Sequence, residues 1–230
     1  MQQPNTLYHI LPADPSHIPQ VTAIVNHYIL HTTVNYSYRP LPESHYNDIL
    51  TDNCSRRNLP FFVAIEGSQG DGVDGGNDGK ERKVIGFTTV TPWSPSKLGY
   101  AYTLEISLYI SHTQRGGGIG TALLKKLIEH LENNEYLTFS EGAAASPSLS
   151  IESGKQGCGH GIPVKCTQLL ALMAVDEDTV LDGKVWRFYE REGFGLMGVM
   201  RGVGWKFGKR RDVRMLARDL NVGYVPEMID

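Results

Sequence analysis

The chain is poor in the residues that build covalent or metallic frameworks. Its 230 residues hold three cysteines, Cys54, Cys158 and Cys166. An odd and irregularly spaced set excludes a disulfide scaffold. The lack of any Cys-x-x-Cys pair removes the usual zinc frame, and free thiols suit a reducing compartment. Long apolar runs are also missing. The longest, Leu169 to Val175, is far too short to cross a bilayer and reads as a buried strand. The opening Met1-Gln2-Gln3-Pro4-Asn5 lacks the basic and apolar segments of a secretory signal. Excess charge of one sign is absent as well. Twenty-two basic and 25 acidic residues leave a net charge of -3, too little for a nucleic-acid surface or strong membrane attraction. A cytoplasmic protein with neither nucleic-acid nor membrane partners is therefore expected.

What is present reads as one mixed α/β domain over 1–230. Hydrophobic residues make up 40% and charged residues 20%, as in an ordinary globular core. Thr6 to Leu11 alternates weakly, as a strand would. Asp14-Pro15-Ser16 opens a helix, because a capping side chain precedes a proline in the first turn. Ile18, Val21, Ile24, Val25, Tyr28 and Ile29 follow at helical spacing. Pro42-Glu43-Ser44 opens a second helix, and Phe61 to Ile65 is a compact strand. Val84 to Thr91 and Tyr102 to Ser111 are two more. Thr121 to Glu132 is an amphipathic helix with Leu124, Leu127, Ile128 and Leu131 on one face. Lys184 to Glu192 is a short helix stopped by Gly193. Leu196 to Val203 and Val213 to Leu220 are the last strands. Two stretches rich in small and polar residues, 67–82 and 133–166, read as flexible insertions.

Metal binding is not expected. The aspartates of the first insertion do not follow the calcium-loop spacing. His27 and His31 sit four apart on a helix, but the glutamate of a His-Glu-x-x-His site is replaced by Tyr28.

The most informative segment runs from Leu104 to Leu131. A strand leads into Arg115-Gly116-Gly117-Gly118-Ile119-Gly120, and a helix begins at once. Such a turn lets backbone N–H groups converge, and the helix dipole adds partial positive charge, so phosphate oxygens bind there. The glycine spacing is wrong for a dinucleotide fold, and no Gly-Lys-Ser/Thr ending marks a nucleotide P-loop.

This turn resembles the Arg/Gln-x-x-Gly-x-Gly/Ala signature of the GNAT acetyltransferases. Within them the chain is similar to the phosphinothricin acetyltransferases. The similarity rests on Ile24 to Ile29, Thr33-Val34-Asn35-Tyr36, Gly86 to Trp93 and Thr103-Leu104-Glu105-Ile106-Ser107-Leu108-Tyr109-Ile110. Tyr189-Glu190-Arg191-Glu192-Gly193-Phe194 and Val203-Gly204-Trp205-Lys206-Phe207-Gly208 extend it, so it covers most of the chain outside the insertions.

The resemblance implies a GNAT fold, a mixed and mostly antiparallel sheet flanked by helices. It implies an acetyl-CoA-dependent N-acetyltransferase acting on a small amine of the phosphinothricin or methionine sulfoximine type, without a metal and as a homodimer. A protein or peptide acceptor and a non-catalytic CoA binder are the alternatives. By resemblance, Glu105 is the general base and Tyr189 the acid for the leaving thiolate. The backbone of Leu108, Tyr109 and Ile110 holds the pantetheine arm. Arg115, Gly116, Gly117, Gly118, Ile119, Gly120 and Thr121 cradle the pyrophosphate, and Asp182 sits where an asparagine commonly touches the cofactor. Tyr36, Tyr100 and Tyr102 flank the acceptor. Gly117 stands where the family has a basic residue, and Arg210 where it often has an aromatic. The basic run Lys206, Lys209, Arg210 and Arg211 reads as a solvated strand end or as a partner for a carboxylate or phosphate.

Overall fold

The computed structural model describes residues 7–67, 82–114, 116–139, 161–175 and 180–225, with the side chains of 180–182 outside this set. Most of both expected insertions, Arg115 and the Asp182 side chain thus lie outside the described residues. Strand β1 (Tyr8–Pro12) precedes helix α1 (Ile18–His31), then α2 (Glu43–Ile49), which runs on into a π-helical stretch at Leu50–Arg56. Strands β2 (Phe61–Glu66), β3 (Val84–Pro92) and β4 (Thr103–Ile110) lead to α3 (Ile119–Asn133). Then come β5 (Tyr136–Thr138), β6 (Ile162–Val164), β7 (Gln168–Ala174), α4 (Val180–Arg191), β8 (Gly195–Lys206) and β9 (Lys209–Asp219).

Seven strands form one sheet in the order β1-β2-β3-β4-β7-β9-β8. Every pairing is antiparallel except β4 with β7. Helices cover both faces because each presents one apolar stripe that must leave water. On one face α1 buries Ile18, Val21, Val25 and Ile29 against Phe61, Val63 and Phe87. On the other, α3 buries Leu123, Leu124, Leu127, Ile128 and Leu131, each at most 4% exposed. Each of those side chains contributes about 2 kcal/mol by area. The α1 start follows its sequence signal: the Asp14 carboxylate accepts the Ser16 N–H at 2.8 Å, and a 3-10 turn at Pro15–His17 precedes the helix.

Two expectations change. The flanks of the second insertion are built structure, because β5 and β6 pair with each other. The Leu137 N–H donates to the Arg57 carbonyl, and Tyr136 is buried. One buried aromatic in a polar stretch was enough to anchor a hairpin that composition alone concealed. Lys206 likewise does not lie on a solvated strand end. It is 1% exposed, and its ammonium donates to the carbonyls of Ile29 at 2.7 Å, Ser37 at 3.0 Å and Asn35. Burial works against the charge, and three acceptors match the three N–H donors. Among the described residues no carboxylate is its partner.

Candidate active site

The sheet opens where the site lies. β4 pairs with β7 only through Thr103–Gln168, Leu104–Leu169 and Glu105–Leu170. Its other edge stays paired with β3 as far as Ile110, while β7 follows β9. Among the described residues, no strand therefore pairs with the β7-facing edge of β4 from Ile106 to Ile110. Successive peptide groups of a strand point to opposite edges. The Ser111 N–H donates to Ile85 on the β3 side, so the Ile110 carbonyl points into the gap. The backbone groups of Leu108 and Ile110 share that direction. The Tyr28 hydroxyl, from α1, donates to the Ile110 carbonyl at 2.6 Å, leaving the N–H groups of both residues and the Leu108 carbonyl facing the gap. Tyr109 differs from the expectation. Its backbone points at β3, opposite Phe87.

It is the Tyr109 side chain that enters the site. Leu104, Ile106, Leu108 and Ile110 pack toward α3, so Glu105, Ser107 and Tyr109 share the α1 face by strand alternation. Asn35 donates its amide to the Tyr109 hydroxyl at 3.2 Å, and Phe87 stacks on the ring. Burial raises the Tyr109 pKa; the Asn35 bond opposes this, and the nearby Glu105 and Tyr28 reinforce it. Burial also raises the carboxyl of half-buried Glu105 above the usual carboxylate range. Tyr189 reaches the same neighbourhood from α4, held between Phe188 and Phe194. Burial, and then Tyr109, keep its phenol protonated. Asn35 and Tyr28 escaped the site prediction, although both lie inside the N-terminal blocks that carried the resemblance. Nothing in their spacing revealed that one loop and one helix face would converge on β4.

The segment after α1 forms one wall. Asn26 exchanges two hydrogen bonds with Leu41, and Lys206 ties down Asn35 and Ser37. Tyr36 then lies across β8: a Cβ on Gly204 would meet its ring at 2.4 Å, so any larger residue there would have to push the Tyr36 ring aside. The other two expected acceptor residues stand apart. Tyr100 is exposed in a 3-10 turn at Leu98–Tyr100. Tyr102 packs on the α3 side and faces Tyr224. Tyr102 thus does not join the face that holds Glu105.

At the end of β4 the chain makes the glycine turn. Gly116, Gly117 and Gly118 all have positive φ, at 100°, 64° and 77°, which only glycine adopts freely. Gly118 is the N-cap of α3, and no side chain caps the helix. The first-turn N–H groups therefore remain open to an anion. Ile119 is buried, so only its backbone can take part. The Thr121 hydroxyl donates to Glu192 at 3.0 Å. An open N–H cradle beside a strand with free backbone groups fits a pyrophosphate followed by an amide-bearing arm.

Comparison with known proteins gives the family. The acetyltransferase (GNAT) family pattern matches residues 26–146. The chain belongs to the GNAT acetyltransferase family. As a GNAT protein it is an acetyl-CoA-dependent N-acetyltransferase. It is 24% identical over 221 residues to a phosphinothricin N-acetyltransferase of Streptomyces viridochromogenes, covering 96% of this chain and 92% of that protein. It is also 24% identical over 204 residues to an L-methionine sulfoximine/L-methionine sulfone acetyltransferase of Pseudomonas aeruginosa, covering 89% and 90%. Among solved structures, a GNAT superfamily phosphinothricin acetyltransferase from Sinorhizobium meliloti in complex with acetyl-CoA superposes with a TM-score of 0.65. The two share 19% identity, over 93% of this chain and 88% of that one. The GNAT fold expected from sequence is thus the observed one.

Among the described residues, no helix is long and apolar enough to cross a membrane. His27, besides its helical neighbour His31, meets His112 with rings stacked at 3.6 Å. Among the described residues no group of three side chains is arranged to hold a metal ion.

Proposed function

We propose that this GNAT enzyme acetylates the primary amine of a small amino-acid-like acceptor, of the phosphinothricin or methionine sulfoximine type, by direct attack on acetyl-CoA. The observation that carries this reading is Glu105. Its carboxyl, raised by burial, stands on the strand whose free backbone edge begins one residue later. A raised carboxyl suits a general base working near neutral pH. The acceptor ammonium loses a proton to Glu105, directly or through water. The amine nitrogen then attacks the thioester carbonyl carbon. The Leu108 N–H stabilises the oxyanion that forms. The nitrogen, cationic after the attack, sheds its second proton to water, the C–S bond breaks, and the phenol of Tyr189 gives its proton to the departing thiolate. Arg115, Gly116, Gly117, Gly118, Ile119, Gly120, Thr121 and Asp182 belong to the cofactor side in this reading, with Ile119 acting through its backbone.

A small acceptor is favoured by the wall of Asn35, Tyr36 and Tyr109, which is tied down rather than open. The named acceptors of the relatives point the same way. The enzyme works as a homodimer, for which the apolar edge strand β8 gives support. Leu196, Met197, Val199, Val203 and Trp205 are each more than 40% exposed there. Free Cys54 and Cys166 fit a cytoplasmic setting.

The test is acetyl-CoA turnover, read as thiol release, across amino acids, their sulfone and sulfoximine analogues, polyamines and short peptides. Burial pushes the thiols of Cys54 and Cys166 up to about 11 and about 12, so both react slowly with the thiol reagent. Saturable turnover with the amino-acid analogues is expected. Turnover with peptides alone, or binding of CoA without turnover of any amine, would overturn the reading.

A further inference from the structure

The glycine turn has a neighbour that the sequence did not reveal. Tyr8 opens β1 and pairs across from Glu66, the last residue of β2. On the next strand pair, Gly86 faces Ile110, the last residue of β4. Tyr8 therefore stands at the same end of the sheet as the turn that follows β4. Gln114, just before that turn, donates to Glu66 at 3.3 Å, so the turn is tied to this edge. The half-buried Tyr8 ring packs toward α3 with the core on that face. Its hydroxyl oxygen lies 3.7 Å from where a Cβ on Gly118 would be. That hydroxyl has no hydrogen-bond partner among the described residues.

A phenol O–H beside open helix N–H groups is a further donor for the same anion. It also answers a deficit in the turn. Gly117 carries no side chain to reach a phosphate, and nothing lies within 4 Å of where its Cβ would be.

We propose that Tyr8 is a phosphate ligand of this enzyme, donating its hydroxyl to the CoA pyrophosphate held at the start of α3. The proposal rests on the acetyl-CoA reading of the turn and adds a donor from the far edge of the sheet. The Tyr8→Phe protein keeps the ring and its packing. Binding is measured by calorimetry for CoA, for 3′-dephospho-CoA and for S-acetylpantetheine, which lacks the pyrophosphate.

The expected result is about tenfold weaker binding of both CoA and dephospho-CoA, the scale of one charge-assisted hydrogen bond, with S-acetylpantetheine unchanged. An unaltered CoA affinity overturns the role of Tyr8. So does an equal loss for all three ligands, which marks general disturbance of the site. A loss for CoA alone would assign Tyr8 to the 3′-phosphate and overturn the pyrophosphate contact. If the wild-type protein binds no CoA, it is the acetyl-CoA reading itself that fails.

Discussion

In the proposed mechanism Glu105 is the base, and its environment fixes a pH signature. Burial raises its pKa, so the ionised base fills only above the ordinary carboxylate range. kcat/KM should rise with pH through that shifted value and then level. Glu105→Gln should lower kcat by about 100-fold or more and remove this acidic limb, while CoA affinity stays near wild type. A retained limb would assign it to another group. The same shift has an opposite sign for stability. The folded state holds the Glu105 proton to higher pH than the unfolded chain does. Its contribution to stability is therefore greatest at acidic pH and is lost as pH rises through the folded value. Tyr109 belongs to the same scale. Its hydroxyl is bonded to Asn35 beside Glu105, so Tyr109→Phe should raise the acceptor KM several-fold and leave CoA binding intact, as steady-state kinetics with each substrate varied would read.

Two elements hold the site in shape by backbone demands that side chains satisfy. The first is the turn into α3. Gly118 has φ of 77°, and an alanine there costs about 1–2 kcal/mol of strain. Its Cβ would meet the Tyr8 hydroxyl at 3.7 Å, an ordinary contact. Strain and not collision should therefore dominate Gly118→Ala, giving a lower Tm and weaker CoA binding together. The second is the clamp made by Lys206 between β8, the end of α1 and the loop carrying Asn35. Lys206→Met keeps the apolar stem and abandons the carbonyls it served. About 2 kcal/mol or more should be lost in chemical denaturation, since buried acceptors are left without donors. Acceptor KM should rise as well, because the loop is also a wall of the site.

At the scale of the whole molecule, the sheet ends on β8. Along Gly195–Trp205 the sole charged side chain is Arg201; of the devices that protect natural edge strands, β8 has two breaks of register against β9, at Leu196–Gly198 and Met200–Gly204. One end is already covered, because the Tyr38 hydroxyl donates to the Trp205 carbonyl. Leu196, Met197, Val199 and Val203 remain apolar and exposed, which suits a second copy related by a two-fold axis. Val203→Lys should shift the protein from dimer to monomer in light scattering after size exclusion. A wild-type monomer at micromolar concentration would remove the dimer from the proposal.

The sequence by itself determined most of the elements and the glycine turn. Apolar spacing drew α1 and α3 to within two residues, because a helix face must be apolar at a period of 3.6. The glycine run marked the turn, because three successive residues with positive φ accept little else. The block around Glu105 was legible through resemblance. Only the tertiary structure decided which side of β4 serves which purpose. Whether Tyr109 offers its backbone or its phenol depends on which edge pairs with β3, and one strand read alone has two equivalent edges. The approach of Tyr8 to the glycine turn, the meeting of Tyr28 and Asn35 with β4, the burial of Lys206 and the separation of Tyr102 from Glu105 are likewise long-range facts. Each is set by how the sheet pairs and where it parts, which local pattern does not encode.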